Sequence, residues 1–299
     1  MKKYRGVFPA LYACYDAEGR IHPKGVRQLT SQLCAAGVGG IYVNGLCGEC
    51  GVLSVMEKAA VLENVMAEAA GRVRVICRVT CAAWEDTREL CRLSSACGAD
   101  AVVALPQEEG QTPEETMDLW QRLADIAGET DMIVGPWGIP VPEEEKLRGR
   151  IRAFAESARV SGILMRGTDA ARRKAVRDLL GGEVSVICAD PCMEVFSAFS
   201  EGLDAFIGIY SAFMPEVTVR LESSLRYAFP GRAMSDQALI SGVMDTINGC
   251  GAPLDTAKYL LWRLRNVECG PVRPPLPRMS ESDRETAEKC LRMLEGFKK

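Results

Sequence analysis

Histidine is nearly absent from this chain of 299 residues, in which His22 is the only one. His22 lies in the polar turn Gly19–Pro23 ahead of a predicted helix, and we interpret it as a surface residue. This count and position exclude a histidine-based catalytic triad and a metal site with several histidine ligands. We predict no bound metal and no cofactor.

Long apolar segments and a strong charge imbalance are missing as well. No apolar signal core follows the N-terminal residues, and no apolar stretch has the length of a membrane span. The formal net charge of −4 disfavours non-specific binding to nucleic acid or to an anionic membrane. Without a secretory signal, the 13 cysteines indicate reduced thiols rather than a disulfide framework. We predict a cytoplasmic protein without nucleic-acid or membrane partners.

A glycine-rich phosphate-binding turn is also absent. The first predicted strand leads into Tyr12–Gly19, which lacks the G-x-G-x-x-G fingerprint of dinucleotide-binding sheets. The nucleotide-binding pattern GxxxxGK[ST] does not occur in the chain. An open, doubly wound sheet is therefore only the second choice among α/β folds.

What the chain does contain is a regular alternation of short apolar runs and amphipathic segments. The predicted strands are Gly6–Tyr12, Gly39–Val43, Val73–Val79, Ala101–Leu105, Met132–Val134, Val160–Met165, Val184–Cys188 and Ala205–Ile209. The helices predicted between them are Pro23–Ala36, Val55–Ala70, Asp86–Cys97, Pro113–Ile126, Glu143–Ser157, Ala170–Leu180 and Met193–Glu201. Continuous apolar runs are typical of parallel strands covered on both faces. The pattern predicts an α/β fold, a (β/α)8 TIM barrel.

Further helical segments follow the eighth strand. They are predicted at Pro215–Tyr227, Asp236–Ile247, Asp255–Leu264 and Glu281–Phe297, with a stiff proline-rich linker at Pro271–Pro277 before the last one. We therefore divide the chain into a barrel, residues 1–214, and C-terminal helices, residues 215–299, packed on the barrel as a single structural unit. Such helical additions often carry subunit contacts, which predicts a homo-oligomer.

In a barrel of this kind the chemistry lies on the loops that follow the strands. After the second strand stands Asn44-Gly45-Leu46-Cys47-Gly48-Glu49, where two glycines allow a tight turn that exposes backbone amides to a ligand. Glu49 would either lie near the mouth or cap the loop internally. We predict that this loop lines a pocket for a small molecule.

Several motifs occur in the order and spacing of a known family. They are Gly6–Leu11, Gly37–Ile41 followed by Gly45–Glu49, Leu53–Glu57, Gly98–Ala101 with Pro106, and Arg273–Leu276. Over nearly its whole length the chain resembles the dihydrodipicolinate synthase/N-acetylneuraminate lyase family of class I aldolase barrels. The resemblance implies a lyase-like barrel, a 2-oxo acid or sugar-acid ligand, and a tetramer or dimer.

The catalytic positions implied by this resemblance are changed. Leu164 stands where the family has its Schiff-base lysine, and Trp137 stands where it has a proton-shuttling tyrosine. Leu46 and Cys47 replace the two hydroxyl residues that hold the substrate carboxylate. Gln107 or Glu108 stands where the family has its relay tyrosine after strand four. Pro142 stands where the family has an arginine after strand five. Since leucine has no amine, the sequence predicts a divergent member, a pseudoenzyme without imine chemistry.

No other lysine stands at the carboxyl end of a predicted strand. The candidates are Lys2, Lys3, Lys24, Lys58, Lys146, Lys174, Lys258, Lys289, Lys298 and Lys299. Two arginines do lie near strand ends, Arg78 and Arg166, and either would grip a carboxylate or phosphate unless it forms a surface salt bridge. The loop after strand six faces the mouth, which favours Arg166.

Cysteines gather at strand ends, at Cys14, Cys47, Cys50, Cys81, Cys188 and Cys192. We interpret them as small apolar filler, with a thiol nucleophile at Cys47 and a metal site as alternatives. Asp190 either joins such a site or caps a helix, and Tyr210 either titrates or packs. The predicted ligand-binding residues are Gly45, Leu46, Cys47, Glu49, Trp137, Leu164, Arg166 and Tyr210. Two function classes stay open: binding of a small anion without Schiff-base chemistry, and an active lyase that uses groups such as Glu49, Cys47 or Tyr210.

Overall fold

The computed structural model describes residues 2–106, 112–135, 149, 152–154, 159–165, 171, 174–175, 178, 184–189 and 195–296. Eight strands form one parallel sheet. They are β1 (Gly6–Pro9), β2 (Gly40–Val43), β3 (Arg74–Arg78), β4 (Ala101–Ala104), β5 (Asp131–Val134), β6 (Val160–Met165), β7 (Ser185–Cys188) and β8 (Ala205–Gly208). β1 pairs with β8, and the sheet runs back through β7 to β2. A parallel bridge between Ala10 and Tyr42 closes the circle, so the predicted (β/α)8 barrel is confirmed.

The described helices lie outside the sheet. They are α1 (Pro23–Ala35), α2 (Val55–Ala69), α3 (Trp84–Ala96), α4 (Pro113–Ala127), α5 (Val195–Ser200), α6 (Pro215–Arg226), α7 (Pro230–Asn248), α8 (Pro253–Arg265) and α9 (Glu281–Gly296). Most bounds agree with the predicted ones to within three residues. The exception is α7, which begins six residues early because Pro230 occupies its first position, where a missing N–H costs no hydrogen bond. The helices predicted at residues 143–157 and 170–180 lie largely outside the described residues.

Local sequence signals set the starts of two barrel helices. The Ser54 hydroxyl accepts a hydrogen bond from the Glu57 amide, and the Glu57 carboxylate accepts one from the Ser54 amide. Thr112 and Glu115 form the same reciprocal pair before α4. These capping boxes satisfy amide groups that the first helical turn leaves free, so the predicted starts are confirmed.

One end of the barrel is closed by Tyr4. Its hydroxyl lies 2.9 Å from a carboxylate oxygen of Asp131 on β5, and its amide donates to the Ser185 hydroxyl on β7 at 3.1 Å. The Tyr4 hydroxyl also contacts the Asp100 carbonyl oxygen at 2.9 Å. These contacts cross the barrel axis at the amino ends of the strands. Any site must therefore open at the other end, where the strands finish.

The C-terminal segment is tied back to the barrel. α9 packs on α7 and α8, and α6 packs on α7 and on β1. Asp255 at the start of α8 accepts hydrogen bonds from the amides of Val272 and Met279, at 2.8 and 2.9 Å, which fixes the proline-rich linker at both ends. Among the helices of the described ranges, none is long and apolar enough to cross a membrane.

Candidate functional site at the barrel mouth

Strand register shows which side chains face the barrel interior. Tyr4 reaches across the axis, so Gly6 and Phe8, two and four residues further on, point inward as well. Gly6 is in register with Ala205, Ala205 with Ile187, and Ile187 with Leu164. Residues in register on parallel strands point to the same face, which places Leu164 inside the barrel. Its side chain is fully buried.

The same argument places Arg78 inside the barrel, at the carboxyl end of β3. Cys77, one residue before it, lies 3.4 Å from the Ser94 hydroxyl and therefore faces the helix α3. Side chains alternate along a strand, so Ile76 and Arg78 face the opposite way, into the barrel. Because Arg78 is the last residue of β3, its guanidinium lies at the mouth.

Arg78 has few partners there. It is half-buried, and Nη1 lies 3.5 Å from the sulfur of Cys50. Its Nε–H is buried and has no hydrogen-bond acceptor among the described residues. No carboxylate of the described part of the chain lies within ion-pair distance of the guanidinium, so the surface salt bridge considered from the sequence is not found at Arg78. A buried donor without an acceptor costs roughly 1–3 kcal/mol, which an incoming ligand would recover.

The loop after β2 is held in a strained shape. Asn44 and Glu49 both adopt left-handed backbone conformations, with φ of 60° and 51°. A Cβ atom at Gly45 would lie 2.5 Å from the Tyr42 ring, so only glycine fits at that position. Leu46, at the tip, is 66% exposed. The loop therefore presents an apolar side chain where the resemblance implies a hydroxyl.

Cys47 is packed rather than reactive. It is 1% exposed, and its thiol donates to the Ile209 carbonyl oxygen at 3.7 Å. Burial raises the pKa of the Cys47 thiol to about 12. Removal of the thiolate from water outweighs any favourable dipole of the loop backbone, which disfavours the alternative of a thiol nucleophile at Cys47. The apolar-filler interpretation fits Cys47.

Of the two roles predicted for Glu49, a position near the mouth or an internal cap of the loop, the structure shows the internal one. Its carboxylate is buried, lies 2.5 Å from Nζ of Lys258 on α8, and accepts a hydrogen bond from the Arg273 amide at 2.9 Å. The Lys258 ammonium also stands 4.4 Å from the Tyr15 ring centroid. With these partners Glu49 fixes the mouth loop to the C-terminal segment. Its proposed contact with a ligand is not supported by this arrangement.

The aromatic hydroxyls of the mouth are also engaged. Tyr12, which the sequence analysis did not single out, donates to the Ile209 carbonyl oxygen at 3.0 Å. Tyr210 donates to the side-chain oxygen of Asn248 on α7. Burial raises the pKa of both phenols above the ordinary value. Tyr210 therefore packs, and does not titrate near neutral pH.

Some sequence-predicted residues cannot be placed. Those outside the described residues are Gln107, Glu108, Trp137, Pro142, Arg166, Asp190 and Cys192. The described cysteines are free thiols. Within the same part of the chain, no three cysteine, histidine, aspartate or glutamate side chains come together as metal ligands. The mouth residues that the structure does bring together on one side are Tyr42, Gly45, Cys50 and Arg78.

The Lys258–Glu49 pair was missed from sequence, although a signal for half of it exists. Ala257 and Leu261 are buried on α8 and Leu254 is half-buried; Lys258 belongs to the same face by helical spacing. A lysine on a buried face requires a partner. The identity of that partner does not follow from the sequence, since Glu49 lies 209 residues away.

A further cavity of about 550 Å³ opens on the flank, between the loop after β1 and α8. Its lining includes Tyr15, His22, Asp255, Tyr259 and Trp262. His22 has a ring nitrogen 3.3 Å from the Glu268 carbonyl oxygen, and both carboxylate oxygens of Asp255 accept backbone amides. His22 and Asp255 thus have partners, whereas the buried Tyr15 hydroxyl has none among the described residues. We place the functional site at the mouth because barrels of this type bind their ligands at the carboxyl ends of the strands.

The fold defines a (β/α)8 TIM barrel, and comparison with known proteins specifies the family. The model of the dihydrodipicolinate synthetase family matches residues 3–294, and the chain belongs to this family. It is 31% identical over 302 residues to the N-acetylneuraminate lyase of Mediterraneibacter gnavus, covering 100% of this chain and 95% of that protein. The similarity thus extends over the barrel and the C-terminal helices together.

Solved structures agree with this assignment. The wild-type sialic acid aldolase of Ruminococcus gnavus superposes with a TM-score of 0.91 at 29% identity, covering 99% of this chain and 98% of that one. A catalytic lysine mutant of the Ruminococcus gnavus aldolase gives the same TM-score at 28% identity, covering 100% and 98%. The fold class expected from the sequence is thereby supported by structural comparison as well.

Proposed function

We propose that this chain binds a small anion, a 2-oxo acid or a sugar acid, at the barrel mouth without forming a Schiff base. The observation that carries the proposal is Leu164, a fully buried, inward-facing leucine at the position that the family resemblance assigns to the imine-forming lysine. Leucine offers neither a nucleophile nor an electron sink. The ligand class follows from the relatives, whose names give N-acetylneuraminate and sialic acid as their substrates.

Four of the seven lysines in the described ranges contact other groups of the chain. Lys2 and Lys3 pair with Asp204 and Asp131 at the closed end of the barrel. Lys258 pairs with Glu49, and Lys58 on α2 is buried with its ammonium 3.3 Å from the sulfur of Cys81. None of these amines lies on an inward-facing strand position. This supports loss of the imine step rather than its transfer to a neighbouring lysine.

The first experiment tests the imine directly. The protein is incubated with pyruvate and sodium borohydride, and its intact mass is measured. We expect no mass increase, while a relative with its lysine intact, such as the lyase of Mediterraneibacter gnavus, serves as the positive control. A stable adduct of reduced pyruvate on this chain would overturn the proposal.

A second experiment tests binding. The melting temperature is measured with pyruvate, N-acetylneuraminate and related sugar acids, since a ligand selective for the native state stabilises it. We expect a saturable rise with at least one acid. No rise with any of them at millimolar concentration would contradict a retained anion site.

An active lyase is the alternative, and it is favoured by membership of a family whose relatives carry the name lyase. The mouth gives it little support, because Glu49 is held by Lys258, Cys47 is protonated at neutral pH and the Tyr210 hydroxyl is bonded to Asn248. Release of pyruvate from N-acetylneuraminate, measured with lactate dehydrogenase and NADH, decides between the two. Turnover would establish the alternative.

The localisation and the oligomeric state of the protein are proposed from the sequence and the family. We propose a cytoplasmic protein that forms a homo-oligomer, a tetramer or dimer as the resemblance implies. Size-exclusion chromatography with light scattering tests the assembly. A monomer at micromolar concentration would contradict it.

A further inference from the structure

We propose that the Arg78 guanidinium is the anion-binding group of the mouth and takes the carboxylate of a small organic acid. The inference rests on the proposed function and deepens it, because it names the group that recognises the ligand. It also differs from the expectation that Arg166 fills this role. The argument uses the direction, the partners and the neighbours of Arg78.

The direction of Arg78 makes it available to a ligand. Cys77 faces α3, so Arg78 faces the barrel interior from the last position of β3. The carboxyl ends of the strands are where barrels of this type bind their ligands. An arginine on a rigid strand, rather than on a mobile loop, also loses little freedom when it binds.

The partners of Arg78 set it apart from comparable arginines. Three other half-buried arginines, Arg220, Arg265 and Arg273, each contact a carboxylate within the chain. Arg78 instead contacts the thiol of Cys50 and keeps a buried Nε–H without an acceptor among the described residues. A guanidinium stays charged at all physiological pH values, so it can take the oxyanion of a ligand at the mouth.

The neighbours of Arg78 link it to the loop after β2. Burial raises the pKa of the Tyr42 phenol and the nearby Arg78 charge opposes the rise. The Tyr42 ring in turn packs where a Gly45 side chain would be. The guanidinium therefore lies on the side of the mouth where Leu46 and Cys47 replace the hydroxyls of the family. The missing hydroxyl donors and the Arg78 guanidinium lie in one place, which is what a relocated carboxylate contact requires.

The test compares charged and neutral forms of one ligand. Dissociation constants for pyruvate and for its neutral amide, pyruvamide, are measured by calorimetry on the wild type, Arg78→Gln, Arg78→Lys, Arg166→Ala and Arg74→Gln. Arg74 is the matched control, because it lies on the same strand at the closed end and pairs with Asp100. Inorganic phosphate is titrated in parallel as a probe that does not depend on any organic acid. Circular dichroism establishes that each variant is folded.

We expect the wild type to prefer pyruvate over pyruvamide by at least tenfold, and Arg78→Gln to lose this preference. Arg78→Lys should keep part of it, and Arg74→Gln should keep all of it. Preference retained in Arg78→Gln would overturn the assignment while leaving the proposed function intact, and a loss confined to Arg166→Ala would assign the role to Arg166. If no organic acid binds, the proposed function fails, and phosphate still tests Arg78: binding lost in Arg78→Gln supports the site, and unchanged or absent binding refutes it.

Discussion

Two cations lie beneath the same mouth, and their surroundings differ. Lys258 is 3% exposed and has a carboxylate of the chain itself, Glu49, at 2.5 Å. Arg78 is half-buried and meets only a thiol, with one N–H unsatisfied among the described residues. The first charge was neutralised when the chain folded. The second has no counter-ion in the part of the chain that the structure describes.

This difference separates a structural charge from a functional one. A buried charge is tolerated when a partner and additional hydrogen bonds compensate for lost hydration. Lys258 and Glu49 meet that condition, because Glu49 also accepts the Arg273 amide and Lys258 stands over the Tyr15 ring. Arg78 does not meet it within the described chain. The comparison therefore predicts a large loss of stability when Lys258 is removed and a small change when Arg78 is removed.

Removal of Lys258 should have the largest effect. Lys258→Met leaves the Glu49 carboxylate buried without its cation, and we expect the free energy of unfolding to fall by roughly 3–5 kcal/mol. Urea denaturation at pH 7 measures it. The double variant Glu49→Leu/Lys258→Met should lose less than the sum of its single variants, since the pair acts as a unit. Additive losses would show that the two groups are independent.

Placing a second lone cation inside the barrel should have the next largest effect. Leu164→Lys puts an amine at a fully buried position, where desolvation lowers its pKa; a depression of two pKa units corresponds to about 2.7 kcal/mol of lost stability. This loss of stability is fully present below the folded-state pKa of the introduced lysine. It disappears as the pH rises towards the ordinary pKa of lysine. Leu164→Met is the control and should stay close to the wild type. An unchanged free energy of unfolding between pH 7 and 10 would mean that position 164 is hydrated.

Removal of Arg78 should have a small effect. Arg78→Leu deletes a charge that has no carboxylate partner in the described chain, so we expect the free energy of unfolding to change by less than about 1 kcal/mol. A loss comparable to that of Lys258→Met would reveal an internal counter-ion and remove the contrast between the two cations.

The smallest effect is expected at an ion pair on the outer surface. A hydrogen bond from the Arg273 side chain holds the pKa of Glu57 below its ordinary value, against a smaller opposing effect of burial. The pair is partly exposed and screened by solvent, so Glu57→Gln should cost only about 0.5–1 kcal/mol at pH 7. Because the pKa of Glu57 is lowered in the folded state, the pair stabilises the protein at pH values above the ordinary pKa of the carboxyl. This contribution is lost as the pH falls through the folded-state pKa of Glu57. The gap between wild type and variant should therefore close in acid; a constant gap would indicate lost packing instead.

The fold could be predicted from the sequence because its determinants are local. Short apolar runs such as Val160–Met165 mark buried parallel strands, and the S-x-x-E pattern at Ser54 marks a helix start within four residues. The end of β1 was predicted three residues late. After Pro9 the Ala10 amide still donates to Gly208 of β8, and the next amide, that of Leu11, donates to Tyr42 of β2; this switch depends on closure of the sheet.

The site could be predicted only in part. The position of Leu164 is predicted from motif order. The direction of the Arg78 side chain depends on which face of β3 packs against α3, and the sequence does not give that. The role of Glu49 depends on a partner 209 residues away. Cys47 was open to a nucleophilic interpretation because glycine-rich loops can lower thiol pKa values, whereas its burial against Ile209 is a tertiary property that reverses the shift.

The attachment of Glu49 to Lys258 and Arg273 has a consequence for how the protein is made. The Glu49 carboxylate receives both of these partners from the last fifty residues of the chain, which leave the ribosome after every strand has already emerged. A nascent barrel can thus pair its strands early and still hold an uncompensated carboxylate at the loop. The end of the barrel at which we propose that the ligand binds is completed last, and this timing gives the C-terminal helices a part in maturation of the mouth.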